Sequence, residues 1–331
     1  MRFADELSVR ENLPKEWVRH QLGQARYLQL AAQYVQPPPA GTRKNWSAYR
    51  SRFIDSTRIQ AGVRFWRTNR DTLARAERET GVPAQVIVGI IGVESIYGQQ
   101  VGNFRVLDAM ATLAFDFPNN HPKAAARSEF FKSELGHLFN LTFRNGLDPL
   151  SLKGSFAGAM GMPQFMPSSW AKYAVDFDGD GRIDLFNSPA DVIGSVAYYF
   201  KAFHWQPGLP THYPVSFNAP TVDMNTLLTP DILPTFGIEK FTHYGVILNG
   251  AALKHQGLLA LIELQDGDRS PIYFAGTENF YAITRYNWSS YYALAVIELG
   301  EEISKAMNHS TAVTDDTPSR RPVHFTRRNG Q

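Results

Sequence analysis

Residues 82–98, VPAQVIVGIIGVESIYG, place a single carboxylate, Glu94, near the end of an almost unbroken apolar run. If this stretch is helical, the i, i+3, i+4 and i+7 spacing puts Glu94 on one face with other members of the run (Ile87, Ile90, Ile91 and Tyr97). That face is expected to be buried, and burial disfavours the charged form of a carboxyl group and so raises its pKa. The stretch therefore predicts a general acid at Glu94. The alternative is a carboxylate that ends the buried part of the helix and faces water.

The composition is that of an ordinary soluble protein with one large domain or two modest ones. The chain has 331 residues, of which 44% are hydrophobic and 19% charged, which is enough for a substantial core. Its 33 Lys and Arg nearly balance its 31 Asp and Glu, so we expect no nucleic-acid partner. The sequence contains no cysteine, which excludes disulfides, thiolate metal sites and a cysteine nucleophile.

Several other classes of protein lack support in the sequence. The nine histidines show no HExxH or other ligand spacing, so a zinc hydrolase is not expected. There is no Walker loop and no Rossmann glycine fingerprint. The N-terminal segment has no apolar core of signal-peptide length, and no stretch approaches the ~20 apolar residues of a membrane span. We therefore expect either a cytosolic protein or one whose leader has been removed or left out of this sequence.

The hydrophobic periodicity predicts a mainly α (α+β) fold with a small β insertion. Predicted helices cover residues 14–34, 55–80, 82–98, 106–115, 125–143, 190–203 and 290–307, and predicted strands cover residues 244–248, 258–264 and 271–275. A turn at residues 266–268 joins the last two strands. Residues 308–331 are rich in Arg, Thr and Pro and poor in large apolar groups, so we expect them to be disordered.

A glycine-rich stretch at residues 153–170, KGSFAGAMGMPQFMPSSW, interrupts the helical pattern. Its glycines permit close approach of another backbone or of a ligand. Ser155 and Gln164 carry neutral hydrogen-bonding groups that suit polyhydroxy ligands. The stretch is therefore interpreted either as a wall that lines a ligand or as a tight corner in helix packing.

An acidic loop, DFDGDGRIDLFNSPAD, spans residues 176–191. Asp176, Asp178 and Asp180 occupy alternate positions and Gly181 follows at once, which is the first half of an EF-hand calcium loop. Alternating carboxylates of this kind converge on a hard cation, and the glycine permits the sharp turn. We therefore predict a calcium site in this loop.

The second half of the loop departs from the EF-hand pattern. Asn187 stands where an EF-hand has its bidentate Glu, so Asp191 is the candidate for the closing ligand. Ser188, Pro189 and Asp191 also form a capping box for a helix that begins near residue 190. The capping role and the calcium role can hold together. No second loop of this kind occurs in the sequence, so a paired EF-hand switch is not expected.

Four ordered segments resemble the membrane-bound lytic murein transglycosylase B family, glycoside hydrolase family 103. They are GVESIYG, GSFAGAMGMPQFMPSSW, DFDGDGRID and ITRYNWSSYYALAV, and the resemblance extends from about residue 45 to about residue 307. It implies a lysozyme-like α core with an embedded EF-hand-like calcium loop, flanked by a helical N-terminal domain and a small β domain. The implied division is a helical domain at residues 1–80, the core at 81–205, the β-containing domain at 206–280, a helix returning to the core at 281–307 and a disordered tail at 308–331.

The resemblance also implies roles for individual residues. Glu94 matches the family's single catalytic acid, Ser155 a residue that reaches that acid or the adjacent sugar, and Gln164 a glutamine that contacts substrate. The other implied substrate-binding residues lie in the groove or near the catalytic centre (Tyr49, Tyr199, Tyr286, Asn287 and Tyr292). Of these, Tyr49 is assigned by its ungapped spacing from Glu94. The implied calcium ligands are four side chains and one backbone carbonyl (Asp176, Asp178, Asp180 and Asp191, and the carbonyl of Arg182). The loop is one residue longer before Asp191 than the family's pattern, and the chain has no lipid-accepting cysteine.

The activity implied by this resemblance is that of a lytic transglycosylase. Such an enzyme cleaves the β-1,4 bond between N-acetylmuramic acid and N-acetylglucosamine in peptidoglycan and forms a 1,6-anhydromuramyl product, with one Glu acting first as acid and then as base. The four segments hold no second carboxylate that accompanies Glu94, although Asp108, Asp116 or Glu129 could fold nearby. A hydrolytic muramidase and a non-catalytic peptidoglycan-binding protein are the alternatives.

The resemblance extends to cofactor, partners and location. It implies a structural Ca²⁺ ion, peptidoglycan glycan strands as the binding partner, and a monomer. It also implies a periplasmic location, and it leaves open an association with the outer membrane and with other cell-wall enzymes.

Overall fold

The computed structural model describes residues 2–37, 39, 41–218 and 220–312, and these residues form a mainly helical protein with small sheets, as predicted. The helices up to the Glu94 stretch are α1 (Arg2–Glu11), α2 (Lys15–Gly23), α3 (Gln29–Tyr34), α4 (Trp46–Arg50), α5 (Ser56–Thr68), α6 (Arg70–Thr80) and α7 (Ala84–Ser95). The later helices are α8 (Val106–Phe115), α9 (Ala124–Arg144), α10 (Pro167–Tyr173), α11 (Pro189–Ala202), α12 (Met224–Leu228), α13 (Ile238–His243), α14 (Glu278–Thr284) and α15 (Ser290–Ala312). The strands are β1 (Phe104–Arg105), β2 (Lys153–Gly154), β3 (His212–Pro214), β4 (Ser216–Phe217), β5 (Val246–Ile247), β6 (Ala260–Asp266) and β7 (Arg269–Gly276).

Helix α7 is buried on all sides. Of its twelve residues, all but Gln85 and Glu94 are buried, a pattern typical of a helix in the centre of a core. The long helix α15 packs against it at close range, because a Cβ atom at Gly89 would lie 2.3 Å from the carbonyl oxygen of Val296. A Cβ at Gly300 of α15 would in turn lie 2.2 Å from the carbonyl oxygen of Gln85. Glycine at both positions therefore allows the two helices to touch through their backbones.

The prediction of a single helix over residues 14–34 is wrong, because a turn separates α2 from α3. In that turn the backbone N–H of Arg26 donates to a carboxylate oxygen of Asp108 at 2.8 Å. The backbone N–H of Leu28 donates to the hydroxyl of Thr112, also at 2.8 Å. Both acceptors lie on α8, so hydrogen bonds to another helix replace the bonds that a continuous helix would make.

The prediction of a single helix over residues 55–80 is also wrong. The helix is interrupted at Asn69, whose backbone leaves the helical region with φ −111° and ψ 26°. The Asn69 side-chain amide donates to the carbonyl oxygen of Phe65 at 2.8 Å. Asparagine competes in this way with the backbone for helical hydrogen bonds, so α5 ends there and α6 begins directly after it.

Two of the three small sheets of the described residues lie in the part of the chain between α11 and α14, and the third pairs β1 with β2. Strands β3, β7 and β6 form an antiparallel sheet in that order, and β4 pairs with β5. The hairpin turn predicted at residues 266–268 is tighter than expected, because Asp266 pairs with Arg269 and only two residues connect the strands. Gly267 has a φ of +66° there, which glycine adopts without steric cost. A second hydrophobic cluster packs beneath these strands, apart from the core around α7.

The final helix extends beyond its predicted end at residue 307. Helix α15 continues to Ala312, so the first residues of the segment expected to be disordered are helical. The prediction of disorder for residues 313–331 lies outside the described residues. Among the described helices, none combines the length and the apolar character that a membrane crossing requires.

Candidate active site

Glu94 lies in the last turn of α7, at the point where the buried helix meets the surface. The helix ends earlier than predicted, since Ile96, Tyr97 and Gly98 have φ values of +50°, +56° and +88°. A β-branched residue rarely adopts this left-handed conformation, which costs it roughly 1–2 kcal/mol. The chain therefore reverses directly after Glu94, and Tyr97 does not share a helical face with it as the spacing predicted.

Buried groups that the sequence did not reveal support this reversal. The hydroxyl of Ser95, which is fully buried, accepts a hydrogen bond from the N–H of Gly98 at 3.0 Å. The hydroxyl of Tyr97 lies against Gly62 and Gly92. A Cβ atom added at these glycines would lie 2.5 and 2.4 Å from the hydroxyl oxygen. Gly62, one helical turn before Phe65, and Gly92, within the apolar run, are the signals in the sequence for this close approach.

The environment of Glu94 favours its protonated form. Burial raises the pKa of this half-buried carboxyl group from 4.5 to about 7, against the opposing effect of a hydrogen bond from the hydroxyl of Tyr292. No charged group among the described residues contributes to the pKa shift of Glu94. The structure therefore agrees with the raised pKa expected from the apolar stretch, and burial favours the protonated acid at Glu94.

A wall of tyrosine rings adjoins Glu94. The ring of Tyr286 stacks on that of Tyr292 with a centroid distance of 6.5 Å and an interplanar angle of 16°, and the ring of Tyr199 lies 4.8 Å from Tyr286. The Tyr199 hydroxyl donates to the carbonyl oxygen of Arg285 at 2.6 Å. Burial raises the pKa of all three tyrosines, and the charge of Glu94 adds to the effect in each. The three rings therefore lie within the field of this carboxyl group.

Tyr49 approaches the same site from the N-terminal part of the chain. Its pKa is raised by burial and then by the charge of Glu94. Its ring makes an edge contact with Tyr291 at 5.8 Å between centroids and lies 5.1 Å from the ring of Phe53. The structure thus brings together Glu94 and the four tyrosines named in the sequence.

The three neutral polar residues named in the sequence are placed differently. The side-chain amide of Gln164 donates to the carbonyl oxygens of Val101 at 3.0 Å and of Gly161 at 2.9 Å, so it ties the loop after α7 to the glycine-rich stretch. Ser155 follows β2, and its hydroxyl oxygen accepts backbone N–H bonds within its own turn at 3.2 and 3.0 Å. Asn287 is exposed after α14. No hydrogen bond within the described chain joins any of these three side chains to Glu94.

Three other carboxylates are candidates for a second acid or base beside Glu94. Asp108 forms an ion pair with Arg105 at 2.5 Å, Glu129 pairs with Lys132 at 2.7 Å, and Asp116 is exposed. None of them contributes to the pKa of Glu94. The structure therefore gives no indication that a second carboxyl group acts beside it.

The acidic loop brings carboxylate oxygens of Asp176, Asp178 and Asp191 within 4.8 Å of one another. Asp180 is not part of this cluster, although the sequence grouped it with the others. The loop is held by backbone N–H bonds to Asp176 from Gly179 at 2.7 Å and from Gly181 at 2.8 Å. Three converging carboxylates repel one another, and a bound cation would relieve that repulsion.

Asp191 occupies the most enclosed position in the cluster, with 1% of its surface exposed. Burial raises its pKa, and the charges of Asp178 and Asp176 raise it further. Ser188 caps α11, because its hydroxyl accepts the N–H of Asp191 at 3.2 Å. The N-cap predicted at Ser188 is therefore confirmed, but the reciprocal half of the predicted capping box is not formed. The N–H of Ser188 donates to the carbonyl oxygen of Asp184 at 3.1 Å, and the Asp191 carboxylate instead accepts the N–H groups of Phe177 at 2.7 Å and of Asp184 at 2.8 Å. Oxygen donors alone, one of them buried at a helix start, suit a hard cation such as calcium, so the residues fit the predicted ion.

The chain also resembles known proteins over most of its length. The model of the transglycosylase SLT domain family matches residues 1–301. Membrane-bound lytic murein transglycosylase B of Escherichia coli (strain K12) is 39% identical over 313 residues, which are 92% of this chain and 82% of that protein.

Solved structures give the same result. The E. coli lytic transglycosylase Slt35 is 38% identical, with 93% of each chain covered; its complex with bulgecin A gives a TM-score of 0.81 and its complex with calcium gives 0.80. SltB3 from Pseudomonas aeruginosa, in complex with NAG-anhNAM-pentapeptide, is 27% identical with a TM-score of 0.74, covering 92% of this chain and 79% of that one. The fold is therefore that of the lysozyme-like lytic transglycosylases, and the chain belongs to the transglycosylase SLT domain family.

Proposed function

We propose that this protein is a peptidoglycan lytic transglycosylase in which Glu94 is the only carboxyl group that acts. The observation that carries the proposal is the environment of Glu94, whose pKa is raised to about 7 by burial and which bonds to Tyr292. A group with this pKa can give up a proton and take one back near neutral pH. The named relatives, which are lytic transglycosylases, support the reaction class.

In the first step, protonated Glu94 donates its proton to the glycosidic oxygen between N-acetylmuramic acid and N-acetylglucosamine. The bond from that oxygen to C1 of the muramyl ring breaks, and an oxocarbenium-like state develops at C1. Glu94 is left as a carboxylate that still accepts a hydrogen bond from the hydroxyl of Tyr292. That hydrogen bond stabilises the charged form and so limits the energetic cost of creating the charge in a buried site.

In the second step, the Glu94 carboxylate takes the proton from the C6 hydroxyl of the same muramyl residue. The C6 oxygen forms a bond to C1 and closes the 1,6-anhydro ring, so Glu94 is protonated again and no water is consumed. Ordinary glycosidases place a second carboxylate across the bond, as nucleophile or as base for water. An internal nucleophile removes that need, which agrees with a pKa of Glu94 that no other described carboxylate influences.

The side chains around Glu94 supply the proposed substrate groove. Aromatic rings of the tyrosine wall offer stacking surface for sugars. Ser155, Gln164 and Asn287 offer neutral hydrogen-bonding groups for sugar hydroxyls and acetamido groups. The complexes of relatives with bulgecin A and with NAG-anhNAM-pentapeptide support a glycan ligand. We assign the glycan-binding roles to the residues already named from the sequence (Tyr49, Ser155, Gln164, Tyr199, Tyr286, Asn287 and Tyr292).

We also propose that the acidic loop binds a structural calcium ion. The cluster of Asp176, Asp178 and Asp191 would hold it. The family resemblance adds Asp180, which lies outside this cluster, and the carbonyl of Arg182 as further candidate ligands. The ion would neutralise the converging carboxylates and stabilise the loop that leads into α11, without a part in the reaction. The calcium complex of Slt35 supports this assignment. The name of the membrane-bound relative supports a membrane-associated location, and the proposed peptidoglycan substrate would place the protein in the periplasm.

Replacement of Glu94 tests the reaction directly. Purified sacculi are digested with the wild type and with Glu94→Gln, and the soluble products are identified by mass spectrometry. The wild type should release 1,6-anhydromuramyl products, and the variant should be slower by about 10²–10⁴-fold, as expected on loss of a general acid–base. Asp116→Asn and Glu129→Gln serve as controls and should keep wild-type activity. Reducing-end products would indicate a muramidase, and undigested sacculi with the wild type would indicate a binding protein.

The pH profile of Tyr292→Phe tests how the pKa of Glu94 is set. Because the acid form starts the reaction, kcat/KM of the wild type should fall as the pH rises through about 7. The hydroxyl of Tyr292 lowers the pKa of Glu94, so its removal should move this fall to higher pH. Tyr198→Phe removes another Tyr–Glu hydrogen bond, to Glu79 at 3.3 Å, and should leave the profile in place. The assignment would be contradicted if kcat/KM of Tyr292→Phe fell at the same pH as that of the wild type, or at a lower pH.

Thermal unfolding with and without calcium tests the acidic loop. At a calcium concentration 100-fold above Kd, the wild type should melt roughly 5 °C higher than in excess chelator. Asp178→Asn removes one charge of the cluster and should abolish most of this difference. Asp71→Asn, an exposed change on α6, should preserve it. An equal melting temperature of the wild type in calcium and in chelator would count against the site.

A further inference from the structure

A cavity of about 270 Å³ lies beside the proposed active site, between the small sheets and the helical part of the chain. Its walls come from β6, from the start of α15 and from the segment before α4. Leu261 and Ile262 of β6 and the ring of Tyr291 of α15 line it. No function assigned above uses this cavity.

Three charged side chains line the cavity, and none of them forms a salt bridge with a residue in the described ranges. The ammonium of Lys44 lies 5.5 Å above the ring of Tyr291. Glu263 is fixed by the hydroxyl of Tyr273, which donates to it at 2.6 Å. Asp231 is exposed at the end of the turn that follows α12. One cation and two anions therefore face a single space.

The backbone holds these charges in position. The carbonyl oxygen of Lys44 accepts the N–H of Gly267 at 3.1 Å, which ties this segment to the hairpin of β6 and β7. Asp231 has a φ of +54°, and its N–H donates to the carbonyl oxygen of Leu228 at 3.1 Å. The three charged side chains come from three parts of the chain, and the hydrogen bond between Lys44 and Gly267 joins residues that are 223 positions apart in sequence.

The cavity is next to the reacting carboxyl group. Tyr291, which lines the cavity, directly precedes Tyr292, which donates to Glu94. Successive residues of a helix point about 100° apart, so the first turn of α15 presents one ring to each site. The ring of Tyr49 bridges the two, because it contacts Tyr291 and lies in the field of Glu94. Two consecutive residues of α15 therefore contact the cavity and the reacting carboxyl group.

We propose that the cavity binds the zwitterionic end of a stem peptide, meaning a free α-amino acid group that carries both an ammonium and a carboxylate. Glu263 and Asp231 would accept hydrogen bonds from the ammonium, and Lys44 would pair with the carboxylate. This inference rests on the function proposed above, since the stem is attached to the muramyl residue that the active site would bind. The complex of SltB3 with NAG-NAM-pentapeptide shows that a relative takes a ligand that carries a peptide.

The test compares two forms of one ligand bound to full-length Glu94→Gln, which keeps the ligand intact. The ligand is a GlcNAc–MurNAc fragment whose stem peptide carries a side chain ending in a free α-amino acid. The second form is the same fragment after N-acetylation, which removes the positive charge. We expect the free amine to bind about tenfold more tightly or better, as for hydrogen bonds between charged groups. Adding Glu263→Gln should reduce the ratio to near one, whereas adding Glu239→Gln, an exposed change on α13, should preserve it.

A second variant guards against a loss of structure. Glu263→Gln also alters the bond to Tyr273, so Asp231→Asn is measured as well, because asparagine tolerates the positive φ at this position. It too should lower the preference for the free amine. Equal affinity for the two forms in the Glu94→Gln protein would overturn the inference. Wild-type digestion of sacculi, run in parallel, separates this outcome from a failure of the proposed function, since it requires Glu94 and not the cavity.

Discussion

Desolvation of one carboxyl group is the constraint on which the rest of this structure depends. The neutral form of Glu94 is favoured because α7 brings it to the edge of a core that buries nearly every other residue of that helix. The close approach of α15 through Gly89 removes water from the helix behind it, and the left-handed turn at Ile96 stops the helix directly after the acid. The packing of α7 and α15 in the centre of the protein therefore raises the pKa of the carboxyl group at the end of α7.

The proposed reaction needs Glu94 both as a neutral acid and as a carboxylate, and the structure contains one interaction that favours each form. Burial favours the neutral acid, whereas the Tyr292 hydroxyl favours the carboxylate. The same helix α15 supplies both effects, because it covers α7 and carries Tyr292. The acidic loop differs from the Glu94 site. Its carboxylates lie close together, and their mutual repulsion favours the binding of a cation. This arrangement suits a structural ion and not a proton donor.

Local patterns in the sequence predicted most of what local interactions decide, although they missed the break at Asn69, and they failed where distant contacts decide. The apolar run was sufficient to predict α7 and the raised pKa of Glu94, and the alternating aspartates predicted a cluster that includes Asp191. The break in the predicted helix over residues 14–34 depends on acceptors in α8, more than 80 residues away. The hydrogen bond from Tyr292 spans 198 residues, so family resemblance and not spacing placed that residue at the site. The exclusion of Asp180 from the cluster depends on loop geometry that the aspartate spacing does not fix.

The central claim is that burial keeps Glu94 protonated, and the pH dependence of stability measures it most directly. A folded-state pKa of about 7 against an ordinary value of 4.5 means that the unfolded state loses this proton first as the pH rises. Glu94 therefore lowers the stability of the wild type progressively between about pH 4.5 and 7, and not below that window. The difference in the free energy of unfolding between Glu94→Gln and the wild type should increase in favour of the variant across this window and level off above it. A difference that does not change with pH, or that grows in favour of the wild type, would contradict the account.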